Sequence, residues 1–167
     1  MSLIIELLFE IINTRLDLTW SKGGEDHFYT DFELDGVNFH ISAEINHIES
    51  LKFLEVYFFI KSDNGPNFKL TNLGKNQFKI LGIVGNAIKE KFKDFPIIIF
   101  SSKEETDTVE DFERRTQFYQ KLCSKIAREQ SYYKKSGSYN KDKVFILYKD
   151  EKLESEIFSI LNIERHS

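Results

Sequence analysis

Residues 70–100 read LTNLGKNQFKILGIVGNAIKEKFKDFPIIIF. After a polar turn, apolar side chains recur with helical spacing at Phe78, Leu81, Val84, Ile88 and Phe92. This spacing predicts a helix over 76–95, which ends there because Pro96 cannot continue it. The continuously apolar run 97–100 is typical of a central strand.

Upstream of this stretch, the sequence indicates a β-hairpin. The dipeptide Asp35-Gly36 lies between two segments of alternating polarity. Such a dipeptide is typical of a two-residue turn whose central residues have positive φ. The predicted register therefore pairs Leu34 with Val37, Phe32 with Phe39 and Asp31 with His40.

The remaining elements follow from the same patterns. Thr108, three residues before Asp111, predicts the start of a helix that continues to about Glu129. Further strands are predicted over 16–21, 51–62 and 144–148, loops over 63–66 and 130–142, and helices over 4–13 and 153–161. Because both faces of 51–62 carry apolar side chains, we expect helices on both sides of the sheet.

Composition bounds the class of protein. The chain has 167 residues, of which 41% are hydrophobic, and this predicts one globular domain over 1–167 with helix 153–161 as an appendage. The net charge of −4 disfavours general nucleic-acid affinity. A single cysteine, Cys123, fits a reducing, cytoplasmic location. The start, MSLIIELLFEII, lacks the basic region of a signal peptide and is too short to span a membrane, so we expect no membrane association.

Four short motifs and the order of elements carry a family resemblance. The motifs are TWSK at 19–22, LTNLG at 70–74, FSSKE at 100–104 and YQKL at 119–122. They are similar to those of small bacteriophage-encoded proteins that resemble GNAT acetyltransferases. The resemblance implies an α+β, GNAT-like fold, in which a mixed and mostly antiparallel sheet is flanked by helices.

In GNAT enzymes, a Gln/Arg-x-x-Gly-x-Gly/Ala turn holds the acetyl-CoA pyrophosphate at a helix N-terminus. The resemblance places cofactor contacts at Gly74, Lys75 and Asn76. Gly74 fits the pattern, but Thr71 is short and Asn76 adds a side chain where a small residue leaves room. The alternative is an ordinary helix start capped by Asn72 or Asn76. The sequence favours that alternative and predicts no cofactor and no tight acetyl-CoA binding.

Two residues are candidates for catalysis if the protein is an acetyltransferase. Tyr119 resembles the family tyrosine that protonates the departing thiolate, although a buried structural tyrosine has the same position on the helix. Glu55 is a candidate general base, since Phe53 and Tyr57 beside it would desolvate its carboxylate. An ordinary exposed glutamate is the reading that the pattern favours. The histidines are dispersed, without the spacing of metal ligands.

The segment 128–143, REQSYYKKSGSYNKDK, mixes tyrosines with basic residues. Such a segment suits protein contacts through Tyr132, Tyr133, Lys134, Lys135 and Tyr139. The sequence favours a non-catalytic accessory factor of phage or mobile-element type, which acts by binding a protein partner. Inhibition of a host protein is one activity that such binding would allow. An acetyl-CoA-dependent N-acetyltransferase is the alternative, and nucleic-acid binding through 128–143 is a third. Monomer and homodimer are both open.

Overall fold

The computed structural model describes residues 15–70, 73, 76–103 and 108–166. The predicted helix over 4–13 and the positions of Gly74 and Lys75 lie outside the described residues. The strands are β1 (Ser21–Lys22), β2 (His27–Leu34), β3 (Val37–Ile48), β4 (Leu51–Ser62), β5 (Gly65–Asn67), β6 (Ile97–Ser102), β7 (Tyr133–Tyr139), β8 (Asp142–Tyr148) and β9 (Glu164–Arg165). The α-helices are α1 (Gln77–Lys91), α2 (Val109–Gln130) and α3 (Glu154–Ile160), the last preceded by a 3₁₀ turn, Glu151–Leu153.

All nine described strands belong to one open sheet. Their order is β1-β2-β3-β4-β6-β8-β7-β9, and β5 pairs with β4 outside this path. Among these described strands, only β4 and β6 run parallel, and every other pair is antiparallel. The chain is therefore an α+β protein with a mostly antiparallel sheet, as the sequence predicts.

The predicted hairpin is confirmed in its turn and in its register. Asp35 and Gly36 have φ values of 51° and 79°, so both central residues of the turn are left-handed. The partners in β2 and β3 are Leu34 with Val37, Phe32 with Phe39 and Asp31 with His40. This register puts the apolar side chains of both strands on one face, where they can be buried together.

Two hydrophobic cores lie on opposite faces of the sheet. The larger one packs α1 and α2 against the sheet around Ile41, Phe58 and Ile88, all of which are fully buried. The smaller one packs α3 against the other face and includes Phe53 of β4, together with residues of β6 and β8. Helices on both faces are therefore confirmed. None of the described helices has the length and apolar character needed to cross a membrane.

Helix α1 differs from its prediction in two ways. It ends at Lys91, earlier than the predicted limit at residue 95. Leu81, Val84, Ile88 and Phe92 are buried as predicted, but Phe78 is exposed. Phe78 lies in the first turn of the helix, before residues 80–88, all of which are buried.

The largest correction concerns the predicted loop 130–142, most of which is strand β7. β7 forms a hairpin with β8, with Tyr133 opposite Tyr148 and Gly137 opposite Val144. Its sequence, YKKSGSY, lacks an apolar alternation because much of the strand is exposed. Three smaller corrections concern the other strands. Residues 16–21 are irregular except at Ser21, and β5 begins within the predicted loop 63–66. The predicted last strand, β8, is not the last, because β9 follows α3.

The C-terminal helix packs on its own domain. Ile157 of α3 is fully buried in the smaller core, and Leu153, Ile160 and Leu161 pack against that core while partly buried. Asp150 caps the preceding 3₁₀ turn through a bond from the Lys152 amide. The apolar side of this helix therefore packs against a core of its own chain.

Candidate functional site

The parallel pairing of β4 with β6 stops halfway along β4. Backbone partners run from Leu54 with Ile98 to Val56 with Phe100, although β4 continues to Ser62. β3 holds the other edge of β4 as far as Ile60, and β5 pairs with β4 from Ile60 onward. Residues 57–59 of β4 therefore face a gap between β6 and β5, where none of the described strands pairs with that edge.

A cavity of about 530 Å³ opens at this gap. Its wall is formed by β4, by the β4–β5 connection and the residues after it, by the end of β6, and by α2. The lining residues are Tyr57, Ser62, Asn64, Gly65, Pro66, Asn67, Phe68, Lys69, Ser101, Lys103, Arg115 and Tyr119. Three of the described lining residues are cationic and none is a carboxylate, which favours an anionic ligand.

Arg115 connects α2 to the end of β6 and to the segment after β5 in the wall of the cavity. Its side chain is buried, and its guanidinium donates from Nε to Ser102 Oγ at 3.1 Å and from Nη1 to the Phe68 carbonyl at 3.2 Å. It also donates from Nη2 to the Lys103 carbonyl. Sequence reasoning missed this residue. The available signal was its place one turn before Tyr119, on the buried side of α2.

Tyr119 lies at the gap itself. Its side chain is 2% exposed, and its hydroxyl donates to the Phe58 carbonyl at 3.4 Å. Phe58 belongs to the part of β4 that lacks a strand on this edge, so Tyr119 supplies a partner for one of its polar groups. Burial raises the pKa of Tyr119 to about 12, so the phenol is a weaker acid than an ordinary tyrosine. The residue is thus a buried tyrosine with one long hydrogen bond, and it also lines the cavity.

Glu55 lies next to the cavity through Tyr57, whose hydroxyl donates to Glu55 Oε1. The carboxylate is half-buried, and burial raises the pKa of Glu55, with a second contribution from the cross-strand carboxylate of Glu44. Lys103 acts in the opposite direction. The expectation of an ordinary exposed glutamate is therefore wrong, because the side chain is partly removed from water and faces a like charge.

Asn76 is the one residue of the predicted cofactor contacts that the structure describes. Its side-chain amide donates to Asp35 Oδ2 at 2.6 Å and makes no capping bond to α1. Capping by Asn76 is therefore wrong, because the hairpin turn holds its side chain. Asn76 is not among the described residues that line the cavity.

The tyrosines of the segment 128–143 differ in their surroundings. Tyr132 is 7% exposed, and its hydroxyl donates to the Phe95 carbonyl at 2.7 Å. Its predicted role as a surface contact is wrong, because the ring is buried in the larger core. Tyr133 and Tyr139 are about half exposed, at 48% and 47%.

The lysines of this segment lie on opposite faces of the sheet. Lys134 Nζ donates to Ser124 Oγ of α2 at 2.7 Å, whereas Lys135 Nζ is 3.8 Å from Glu154 of α3. Successive residues of a strand point to opposite sides, so β7 cannot present both lysines on one surface. The predicted partner residues are therefore brought together only in part: Tyr133, Lys135 and Tyr139 share one face of β7, and Lys134 lies on the other. Nucleic-acid binding lacks a continuous basic and aromatic surface here.

Within residues 15–70, 73, 76–103 and 108–166, no group of three or more histidine, cysteine, aspartate or glutamate side chains is placed to hold a metal ion. A scan against protein-family models found no matching family for this chain. Comparisons with curated proteins and with solved structures found no match either.

Proposed function

We propose that this chain is a GNAT-like protein that binds an acyl-coenzyme A in the cavity between β4 and β6 and transfers the acyl group to an amine. The strand order supports this proposal, since a single parallel pair, β4–β6, lies inside an otherwise antiparallel sheet as in the GNAT arrangement. The single observation that carries it is the gap beside residues 57–59. An extended ligand with amide groups can bind such an edge as an added strand does.

The charges of the cavity suit the phosphates of a coenzyme. Lys69, Lys103 and Arg115 contribute three cations to the lining, and Arg115 is fixed by its bonds to backbone carbonyls. The sequence disfavours coenzyme binding partly because the Asn76 side chain would crowd the turn. The bond from Asn76 to Asp35 directs that side chain toward the hairpin turn and weakens the steric objection.

Glu55 is the proposed general base. In acyl transfer, the amine nitrogen attacks the thioester carbonyl, the carbon–sulfur bond breaks, and the amine loses a proton. A carboxylate whose pKa is raised accepts that proton better at neutral pH than an ordinary glutamate. The Tyr57 hydroxyl, which donates to Glu55, fixes the orientation of the carboxylate beside the cavity.

Tyr119 is the proposed partner of the departing sulfur. An ordinary thiol has a pKa of about 8.5, whereas burial raises the pKa of Tyr119 to about 12. Complete proton transfer from the phenol to a thiolate is therefore unfavourable. We assign Tyr119 a hydrogen bond to the leaving sulfur, for which its long bond to the Phe58 carbonyl leaves the hydroxyl available.

Coenzyme binding is tested by thermal unfolding and calorimetry with acetyl-CoA. Binding stabilises the folded state by about 2.7 kcal/mol when the ligand is at a hundred times its dissociation constant. Ser101→Trp fills the cavity from β6 and should abolish this stabilisation, whereas Ser155→Trp, on the exposed side of α3, should preserve it. No stabilisation at millimolar acetyl-CoA, or an unchanged effect in folded Ser101→Trp, would refute the proposal.

Catalysis is tested by the release of free thiol from acetyl-CoA in the presence of amines. Glu55→Gln removes the base but retains an acceptor for the Tyr57 hydroxyl. It should lower kcat by at least a hundredfold, as loss of a general base does, and leave coenzyme binding intact. An unchanged kcat would remove Glu55 from the mechanism.

A second candidate is binding of a protein partner through β7. Tyr133 and Tyr139 are about half exposed and lie with Lys135 on one face of that strand. Tyrosine is enriched in the energetically important parts of interfaces. A Tyr133→Ser/Tyr139→Ser variant that folds normally should lose a partner captured from host extract, and a partner retained by this variant would contradict the assignment.

A further inference from the structure

The face of β2, β3 and β4 that lies opposite α1 and α2 is mostly polar, and, apart from the start of β4, its described residues are partly or fully exposed. The smaller core, which α3 builds on this side of the sheet, includes no described residue of β2 or β3. Cross-strand pairs place three rows on this face: His27, Glu44 and Glu55; Tyr29, Ser42 and Tyr57; Asp31, His40 and Phe59. We call it the β2–β4 face.

Carboxylates predominate on the β2–β4 face. They are Asp31, Glu33, Glu44 and Glu55, of which the first three are exposed. Lys61 is the lysine of this face, and it pairs with Asp31 at 3.3 Å. No cation among the described residues lies within ion-pair distance of Glu33 or Glu44. Charge complementarity therefore indicates a cationic occupant.

Aromatic rings cross this face between the carboxylates. Tyr29 stacks on His40 with 5.7 Å between ring centroids, and His40 stacks on Phe59 at 4.6 Å. Phe59 continues to Phe68 at 5.0 Å, and Phe68 lines the cavity. The row thus leads across the sheet to the cavity rim. Aromatic faces next to carboxylates attract guanidinium and ammonium groups through cation–π interactions as well as ion pairing.

The distance between Glu33 and Glu44 favours a peptide over a small amine as the occupant of this face. Glu33 is opposite Asn38, and Glu44 follows six residues later in β3. At about 3.3 Å per residue, the two ends of the acidic face are roughly 20 Å apart. An extended peptide spans this length with two basic residues about six positions apart, whereas a short diamine reaches one end only.

We propose that the β2–β4 face docks an extended, basic peptide segment of a partner protein, and that this segment is the acyl acceptor. One lysine pairs with Glu33, an arginine two positions further along stacks on the rings of His40 and Phe59, and a second lysine, six positions from the first, reaches Glu44. The second lysine then lies beside Glu55, the proposed base, at the cavity rim. The role of acceptor depends on the proposed function, whereas docking does not.

Docking is tested without coenzyme, by fluorescence anisotropy with a labelled heptapeptide, Lys-Ser-Arg-Ser-Ser-Ser-Lys, whose three basic residues lie on one side when it is extended. A peptide of the same composition, with its three basic residues contiguous, is the comparison. We expect the spaced peptide to bind at least fivefold more tightly. Glu33→Gln/Glu44→Gln should weaken its binding about tenfold, and Phe59→Leu about fivefold. The control, Glu110→Gln/Glu113→Gln, removes two exposed carboxylates of α2 and should leave binding unchanged.

Each result decides the proposal once circular dichroism has established that the variants fold. Absence of binding to the wild-type protein, equal affinity for the contiguous peptide, or equal weakening by the α2 control would overturn it. Binding that depends on Glu33 and Glu44, without thiol release from acetyl-CoA, would support docking and refute acyl transfer. Transfer to the peptide that is insensitive to both substitutions would refute docking and leave the proposed function intact.

Discussion

Tyr132 and Tyr133 are adjacent in sequence and differ in what their hydroxyl groups do. The hydroxyl of Tyr132 donates to the Phe95 carbonyl at 2.7 Å, and the ring lies in the larger core with the Lys149 ammonium 4.2 Å from its centroid. Tyr133 is about half exposed and stacks on Tyr148. Tyr132→Phe and Tyr133→Phe are therefore matched substitutions, each of which removes one oxygen atom.

Tyr132→Phe should lower the free energy of unfolding by about 1–2 kcal/mol. The loss combines the net value of a hydrogen bond, about 1 kcal/mol, with the cost of leaving the Phe95 carbonyl without this partner. For a domain of this size, each kcal/mol corresponds to roughly 2–4 °C in Tm. Tyr133→Phe should change the free energy of unfolding by less than about 0.5 kcal/mol, as exposed substitutions do. Urea titration followed by circular dichroism measures both values.

Two results would refute this reasoning. Equal losses from the two substitutions would mean that Tyr132 and Tyr133 are in similar environments, as in the predicted loop. A loss below about 0.3 kcal/mol for Tyr132→Phe would mean that its bond to Phe95 contributes nothing. A change in the denaturant slope would indicate an altered unfolded state, and the comparison would then be repeated by calorimetry.

Three further predictions test the core, the hairpin and the site. Ile88→Ala should cost about 2–4 kcal/mol in urea unfolding because Ile88 is fully buried, whereas Phe78→Ala, at an exposed position, should cost much less. Gly36→Ala should cost about 1–2 kcal/mol because Gly36 has φ +79°, and Gly24→Ala, which meets nothing within 4 Å, should be nearly neutral; calorimetric Tm values compare the two. The raised pKa of Glu55 means that the folded state binds its proton more tightly than the unfolded state. Stability should therefore fall as pH rises from the ordinary glutamate range through the raised pKa, and Glu55→Gln should flatten that slope in unfolding measured at a series of pH values.

The candidate site could be predicted only in part. Tyr119 and Glu55 were accessible from their motif and strand positions, and both lie at or beside the cavity. Burial raises the pKa of Glu55, and Glu44 raises it further. These two residues are distant in sequence, and only the pairing of β3 with β4 places them side by side. Arg115 was missed because its partners are backbone carbonyls of Phe68 and Lys103, which no sequence motif marks.

The sequence by itself determined the elements whose signals are local. Asp35-Gly36 set the hairpin and its register, because a two-residue turn with positive φ fixes which residues face each other. The apolar spacing predicted α1. Thr108, with Asp111 three residues later, predicted the start of α2, where the Asp111 amide donates to the Thr108 side chain. These features depend on residues within a few positions of one another.

Only the tertiary structure decided the features that depend on distant partners. β7 is a strand because β8 supplies its hydrogen bonds, and Gly137 leaves room for β9, since a Cβ there would lie 2.4 Å from the Glu164 carbonyl oxygen. The gap beside residues 57–59 exists because β6 leaves β4 after Val56 and β5 returns only at Ile60. Neither event has a local signal, because backbone pairing between distant segments is decided by which edges meet when the two cores form.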